Sequence, residues 1–152
     1  MKRVLLVGLA TVGVLMTGCD PGTPEGTWAC SSEWSGEQEG ETVLTSVEQR
    51  CTCADNVMKV TGVVSIGDAQ WSEKKEGTCH ASGDELYGKW TSIETTSKNE
   101  AARIFERERL EGKSLASTST LDQEHRVRVT SRTDTSLTAV NAQGRVLFCN
   151  RL

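Results

Sequence analysis

No segment of this 152-residue chain offers the roughly 20 consecutive apolar residues that a helix needs to stay across a bilayer. The uncharged stretch before Cys19, Val4 to Gly18, has 15 residues, which speaks against a permanent transmembrane anchor. Histidine is scarce: His80 and His125 are the only two, 45 positions apart. The chain contains no Gly-x-Ser-x-Gly elbow, no His-Glu-x-x-His helix and no phosphate-cradling glycine loop, so nothing announces a hydrolase, a zinc protease or a nucleotide enzyme. No basic stripe is present, which removes the usual footprint of a nucleic-acid partner. The expectation is therefore a non-enzymatic protein without a metal or soluble cofactor. Proline is confined to Pro21 and Pro24, and these mark residues 20–25 as a short linker rather than an ordered element.

The amino end carries the most specific signal. Lys2 and Arg3 precede the uncharged stretch, and the small residues Thr17 and Gly18 stand directly before Cys19, the layout of a signal peptide. Leu15-Met16-Thr17-Gly18-Cys19 resembles the lipobox of bacterial prolipoproteins, with Met16 where a branched aliphatic residue is commoner. The resemblance implies a thiol acylated with lipid at Cys19, cleavage before it, and Cys19 as the first residue of the mature protein. It also implies a membrane partner reached through the lipid, with the domain facing the periplasm or the exterior. Asp20 resembles the retention signal of enteric lipoproteins and leans toward the inner membrane. The resulting division is residues 1–18 as signal peptide, 19–26 as lipidated terminus and linker, and 27–152 as a single β-rich domain. Loss of Lys2 and Arg3 lowers Lys plus Arg from 17 to 15 against 21 Asp plus Glu, so net charge moves from −4 to −6.

In an exported, oxidising setting Cys30, Cys51, Cys53, Cys79 and Cys149 read first as disulfide partners. Five is odd, so two bridges leave one thiol over. A Cys30–Cys149 bridge would join the two ends of the domain, and Cys79 would then take Cys51 or Cys53. Cys51-Thr52-Cys53 also has the spacing of a soft-metal or redox pair, but only His80 beside Cys79 offers a further ligand.

Period-two alternation over 42–53, the β-branched run 57–66 and the turn Ala54-Asp55-Asn56 between them predict a hairpin. Further strands are expected over 85–96, 126–131, 136–140 and 145–150, the last three as a meander. Trp28 to Gly40 reads as a strand start followed by a long loop, and Trp71 to Gly77 as a short polar segment. One helix is expected at about 98–111. Ser97 and Glu100 have the form of a capping box, Ala101, Ile104 and Phe105 make its apolar stripe, and Gly112 sits just past its end. The fold class is mainly β: an antiparallel partial barrel or sandwich of six to eight strands, with one helix, braced by disulfides.

Gly26-Thr27-Trp28 resembles the Gly-x-Trp motif of lipocalins, which implies a barrel with Trp28 at its base and, as an alternative function, a carrier of a small apolar ligand. Trp28 and Trp90 are expected in the core. Trp34 and Trp71 lie in polar surroundings and are the candidate exposed anchors for a protein partner in the cell envelope. Both histidines are expected at the surface. The leading functional expectation is a membrane-anchored, protein-binding lipoprotein, acting as an inhibitor, an immunity factor or an accessory of a secretion apparatus.

Overall fold

The computed structural model describes residues 26–152; the expected signal peptide, Cys19, Asp20 and the expected linker lie outside them. Eight strands follow in order: β1 Gly26–Gln38, β2 Glu41–Ala54, β3 Val57–Ile66, β4 Ala69–Ser82, β5 Glu85–Ser97, β6 Glu124–Arg132, β7 Ser136–Asn141 and β8 Val146–Arg151. Each pairs antiparallel with its sequence neighbour, and β8 returns to β1, which closes the sheet into a barrel. A helix, α1 (Glu100–Arg109), and a 3-10 turn (Leu115–Thr118) fill the connection from β5 to β6.

Two-residue turns at 39–40, 55–56, 67–68 and 83–84 connect the first five strands. Asp55 and Asn56 both take positive φ, 52° and 63°, the geometry that matches strand twist across a tight hairpin. The turns at 39–40 and 67–68 stand with α1 at one rim, and those at 55–56 and 83–84 stand with Gly26 and Leu152 at the other.

Two stretches are more regular than the sequence suggested. Glu33–Gln38 continues β1 in register with β2 instead of forming a loop. The expected polar segment from Trp71 is the middle of β4, whose side chains alternate strictly between inside and outside. Its inward positions are Ala69, Trp71, Glu73, Lys75, Gly77 and Cys79, so charged residues at two inward sites hide the strand from a hydrophobicity pattern. Gly77 sits at a register shift against β5, where a Cβ would stand 2.2 Å from the Lys89 carbonyl oxygen. Only glycine fits that approach.

The interior holds two apolar clusters. The one toward Gly26 contains Trp28, Met58, Val60, Leu86, Trp90 and Leu147 with both disulfides, and the one beneath α1 contains Val47, Val64, Ile66, Trp71, Ala102 and Leu115. Along β2 and β4 the layer between them is polar: Gln49, Glu73 and Lys75 are all buried.

Asn99, not Ser97, caps α1: its side chain accepts from Ala102 N at 2.9 Å while its Nδ2 donates to the Asp68 carbonyl at 2.8 Å. Ser97 instead donates to Glu106 Oε2 at 2.8 Å. The buried face of the helix is also turned from the expected stripe, with Ala102 buried and Ile104 exposed.

Both bridges form as Cys30–Cys149 and Cys53–Cys79. Cys30 and Cys149 face each other directly across the β1–β8 ladder that closes the barrel. Ladder registers explain the second pairing. Cys53 lies opposite Met58, which lies opposite Gly77, so Cys53 is nearly level with Cys79 across β3. Cys51 lies level with Lys75, two inward positions away, and remains a buried thiol outside both disulfides.

Candidate functional site

Most of the barrel's inner volume is structural. Lys75 Nζ and Glu73 Oε1 meet at 2.8 Å with side chains 0% and 1% exposed, and Gln49 Nε2 donates to the same carboxylate oxygen at 3.1 Å. The Lys75 ammonium also stands 4.6 Å from the centroid of the Trp90 ring. The ion pair and the Gln49 N–H offset each other's desolvation once water is removed, while the Gln49 Oε1 stays buried without a hydrogen-bond partner.

Cys51 faces this layer. Burial pushes its thiol up to about 12, with Lys75 pulling down and Glu73 pushing up by lesser amounts. It is therefore a protonated thiol at neutral pH and a poor nucleophile. Cys53 is already bonded to Cys79, so the Cys51-Thr52-Cys53 spacing does not present a free dithiol. Among the described residues no group of three or more His, Cys, Asp or Glu could hold a metal ion.

The histidines part ways. His80 is exposed on the outer face and stacks on Tyr87, centroids 4.8 Å apart. His125 is half-buried rather than on the surface, and burial, with Lys75 adding, lowers its pKa below the ordinary histidine value.

Of the two tryptophans expected as exposed anchors, Trp71 is wholly buried, at 0% exposure. It lies edge-on to Phe105 at 5.4 Å between centroids, and its Nε1 donates to Glu106 Oε1 at 2.9 Å. Leu115 N donates to the same oxygen at 3.2 Å, so Glu106 ties helix, barrel and 3-10 turn together. Polar neighbours in sequence misled here because they alternate outward while Trp71 points inward.

Trp34 has a different setting. The β1–β8 ladder stops at Ser31 opposite Phe148, and among the described residues Ser32–Gln38 has no strand partner on that side. Ser32 Oγ bridges to the Val146 carbonyl at 2.6 Å, and beyond it the wall opens. A cleft of about 860 Å³ lies there, bordered by Ser32, Trp34, Glu48, Arg145 and Phe148. The Arg145 guanidinium stands 4.1 Å from the centroid of the half-buried Trp34 ring, and Phe148 is 56% exposed. Partial burial lowers the Arg145 pKa, although arginine stays charged at any physiological pH. The cleft exists because β1 has 13 residues and β8 only six. Arg145 and Phe148 carried no sequence signal of their own; the mismatch in strand length was the clue.

The fold and cleft define an eight-stranded antiparallel meander barrel with a helix-covered rim and a notched wall. The chain matches no family model and no curated protein.

Proposed function

We propose that this protein is a lipoprotein of the cell envelope, held to the membrane through Cys19, that binds a protein partner at the notch beside β1 and performs no chemistry on it. The observation that carries the reading is the unpartnered half of β1 opening onto Trp34, Arg145 and Phe148. An unpaired strand edge offers backbone donors and acceptors to an extended segment, and an aromatic ring under a guanidinium is a common anchor beside such an edge. The tether supports the same geometry. The chain enters the barrel at Gly26, and Ser32–Gln38 runs toward the opposite rim, which supports a notch set apart from the tethered end. Six linker residues at about 3.6 Å each let the barrel stand only about 20 Å off the lipid, which requires the partner to approach the membrane.

The carrier alternative is less well supported. Trp28, Trp90 and the two disulfides occupy the place an apolar ligand would need. Inhibitor, immunity factor and secretion accessory all remain compatible with a protein-binding notch, and the partner's identity separates them. The test is photocrosslinking from position 34 or 37 in native membranes, with an Arg145→Ala variant beside it. A single crosslinked protein that weakens with Arg145→Ala supports the proposal; no crosslink from either position sinks it. The anchor is tested by Cys19→Ser, which should accumulate uncut precursor or soluble protein. Unchanged processing and fractionation would remove the lipoprotein reading.

A further inference from the structure

Ser32–Gln38 offers an extended edge with no strand on the β8 side among the described residues. Its side chains alternate: Ser32 and Trp34 continue the inward series, while Glu33, Ser35 and Glu37 are exposed on the outer face. Gly36 stands at an inward position, yet beyond its chain neighbours no heavy atom lies within 4 Å of where a Cβ would be. The edge beside Trp34 therefore has an unfilled inward position, of the kind that a large side chain from a neighbouring strand covers. On the outer face the charge is of one sign. Glu48 on β2 lies diagonal to Glu33 across the β1–β2 ladder, which adds a third exposed carboxylate to Glu33 and Glu37. None of the three takes part in an ion pair among the described residues, whereas Glu39 at the turn is already held by Arg109. The Arg145 guanidinium is engaged with the ring of Trp34, at an inward position.

A strand laid along this edge puts every second side chain directly opposite Glu33, Ser35 and Glu37, where an opposite charge stabilises the pair and a like charge opposes it. That decides against a second copy of this chain. The two-fold register that uses the whole edge would set Glu33 of each copy opposite Glu37 of the other. We infer that the notch takes an extended basic segment of its protein partner, which adds to β1 where β8 stops, with Lys or Arg side chains opposite Glu33 and Glu37 and an apolar side chain filling the space at Gly36. This rests on the reading of the notch as the partner site and names the chemistry that the site selects. Continuing the ladder that β8 leaves at Ser31, the segment runs antiparallel to β1. Its residue opposite Trp34 is uncharged, because Arg145 already lies over that ring. The order along the segment is therefore basic, apolar, small or polar, uncharged, basic.

The experiment uses the mature lipidated chain in nanodiscs of zwitterionic lipid, with capped and fluorescently tagged peptides read by anisotropy. The probe is Thr-Lys-Phe-Thr-Val-Lys-Thr, whose lysines fall opposite Glu37 and Glu33 and whose phenylalanine falls opposite Gly36. One comparator has glutamate in place of both lysines, and a second, Thr-Phe-Lys-Thr-Lys-Val-Thr, keeps the charge but turns it to the inner face. Both should bind about tenfold more weakly than the probe, or worse. N-methylation of alternate backbone nitrogens, made in both phases, should abolish binding in one phase only, since alternate N–H groups of an added strand point at β1. Glu33→Lys combined with Glu37→Lys should reverse the preference toward the glutamate peptide, and Gly36→Val should weaken the probe more than its phenylalanine-to-alanine form. The peptide comparison on the unaltered chain stands even if a variant fails to fold. Equal binding of the lysine and glutamate peptides would overturn the inference, as would no binding up to the solubility of the probe. Equal binding of the face-turned peptide, or of both N-methylated forms, would reduce the effect to general attraction between a basic peptide and an acidic protein and would overturn it too. In each of these cases a protein still captured by crosslinking from position 34 or 37 would leave the notch standing as a partner site of other chemistry. A crosslink between two copies of this chain would replace the basic segment with self-pairing.

Discussion

Glu73 and Lys75 stand two residues apart on the inward face of β4, and their charges meet at 2.8 Å with neither side chain in contact with water. Removing one partner strands the other. Lys75→Met should destabilise the barrel by about 3 to 5 kcal/mol, as should Glu73→Leu, because a buried charge is left without its counterpart. The double variant should recover most of that loss, since apolar residues of similar size can replace a buried pair at little cost. Urea unfolding of the three variants checks this. Additive losses in the double variant would show that the pair is not coupled.

The disulfides should contribute unequally. Cys30–Cys149 encloses 119 positions of sequence separation and Cys53–Cys79 encloses 26. In the chain-entropy description these correspond to about 5 and about 3.5 kcal/mol. Paired Cys→Ala replacements, one bridge at a time, should therefore lower stability more for the first than for the second. Cys51 supplies a control. In the native mature protein iodoacetamide at pH 8 should leave it unmodified, and in urea without reductant it should modify that one thiol.

The tryptophans separate recognition from stability. Trp71→Ala removes a fully buried ring and should cost about 3 to 5 kcal/mol, while Trp71→Phe, which removes the N–H and leaves Glu106 without that donor, should cost about 1 to 3 kcal/mol. Trp34→Ala should cost less than Trp71→Ala, and should weaken partner capture by about 2 kcal/mol or more. Calorimetry and the crosslinking yield together measure both. A Trp34→Ala variant that captures its partner normally would leave the notch without its anchor.

His125 gives the stability a pH dependence with a definite sign. Its folded pKa is lowered, so the unfolded chain takes up the proton first as pH falls. The stabilisation it contributes is fully present above the ordinary histidine value of about 6.5 and is lost as pH drops through the lower folded value. His125→Gln should flatten the dependence of the melting temperature on pH between about 7 and 5 relative to the unaltered protein. Identical slopes would assign that region to other groups.

Much of the fold could be read from particular residues. The alternation over 42–53 and the β-branched run from 57 to 66 gave strands because most of their inward positions are apolar, Thr45 and Gln49 excepted, and the meander and the Cys30–Cys149 bridge followed from turn residues and position. Where inward sites are polar the pattern failed. Glu73 and Lys75 conceal β4, and the polar sequence neighbours of Trp71, which alternate outward, conceal its burial. Local capping rules favoured Ser97, yet tertiary contacts gave that hydroxyl to Glu106 and left the cap to Asn99. The notch needed strand pairing across the whole chain, which no local window contains. Arg145 and Phe148 become notable only when β8 is seen to stop short of the end of β1.

The bond from Cys30 to Cys149 also determines how the molecule bears load. Tension arriving along the amino-terminal tether meets β1 at Gly26 and can unzip only the rungs from Gly26 to Ala29 before it reaches a covalent link into β8. Past that point force is shared by the first and last strands, and peeling must give way to shearing of both ladders at once. A pull entering at Gly26 would therefore load the first and last strands together before it opened the barrel.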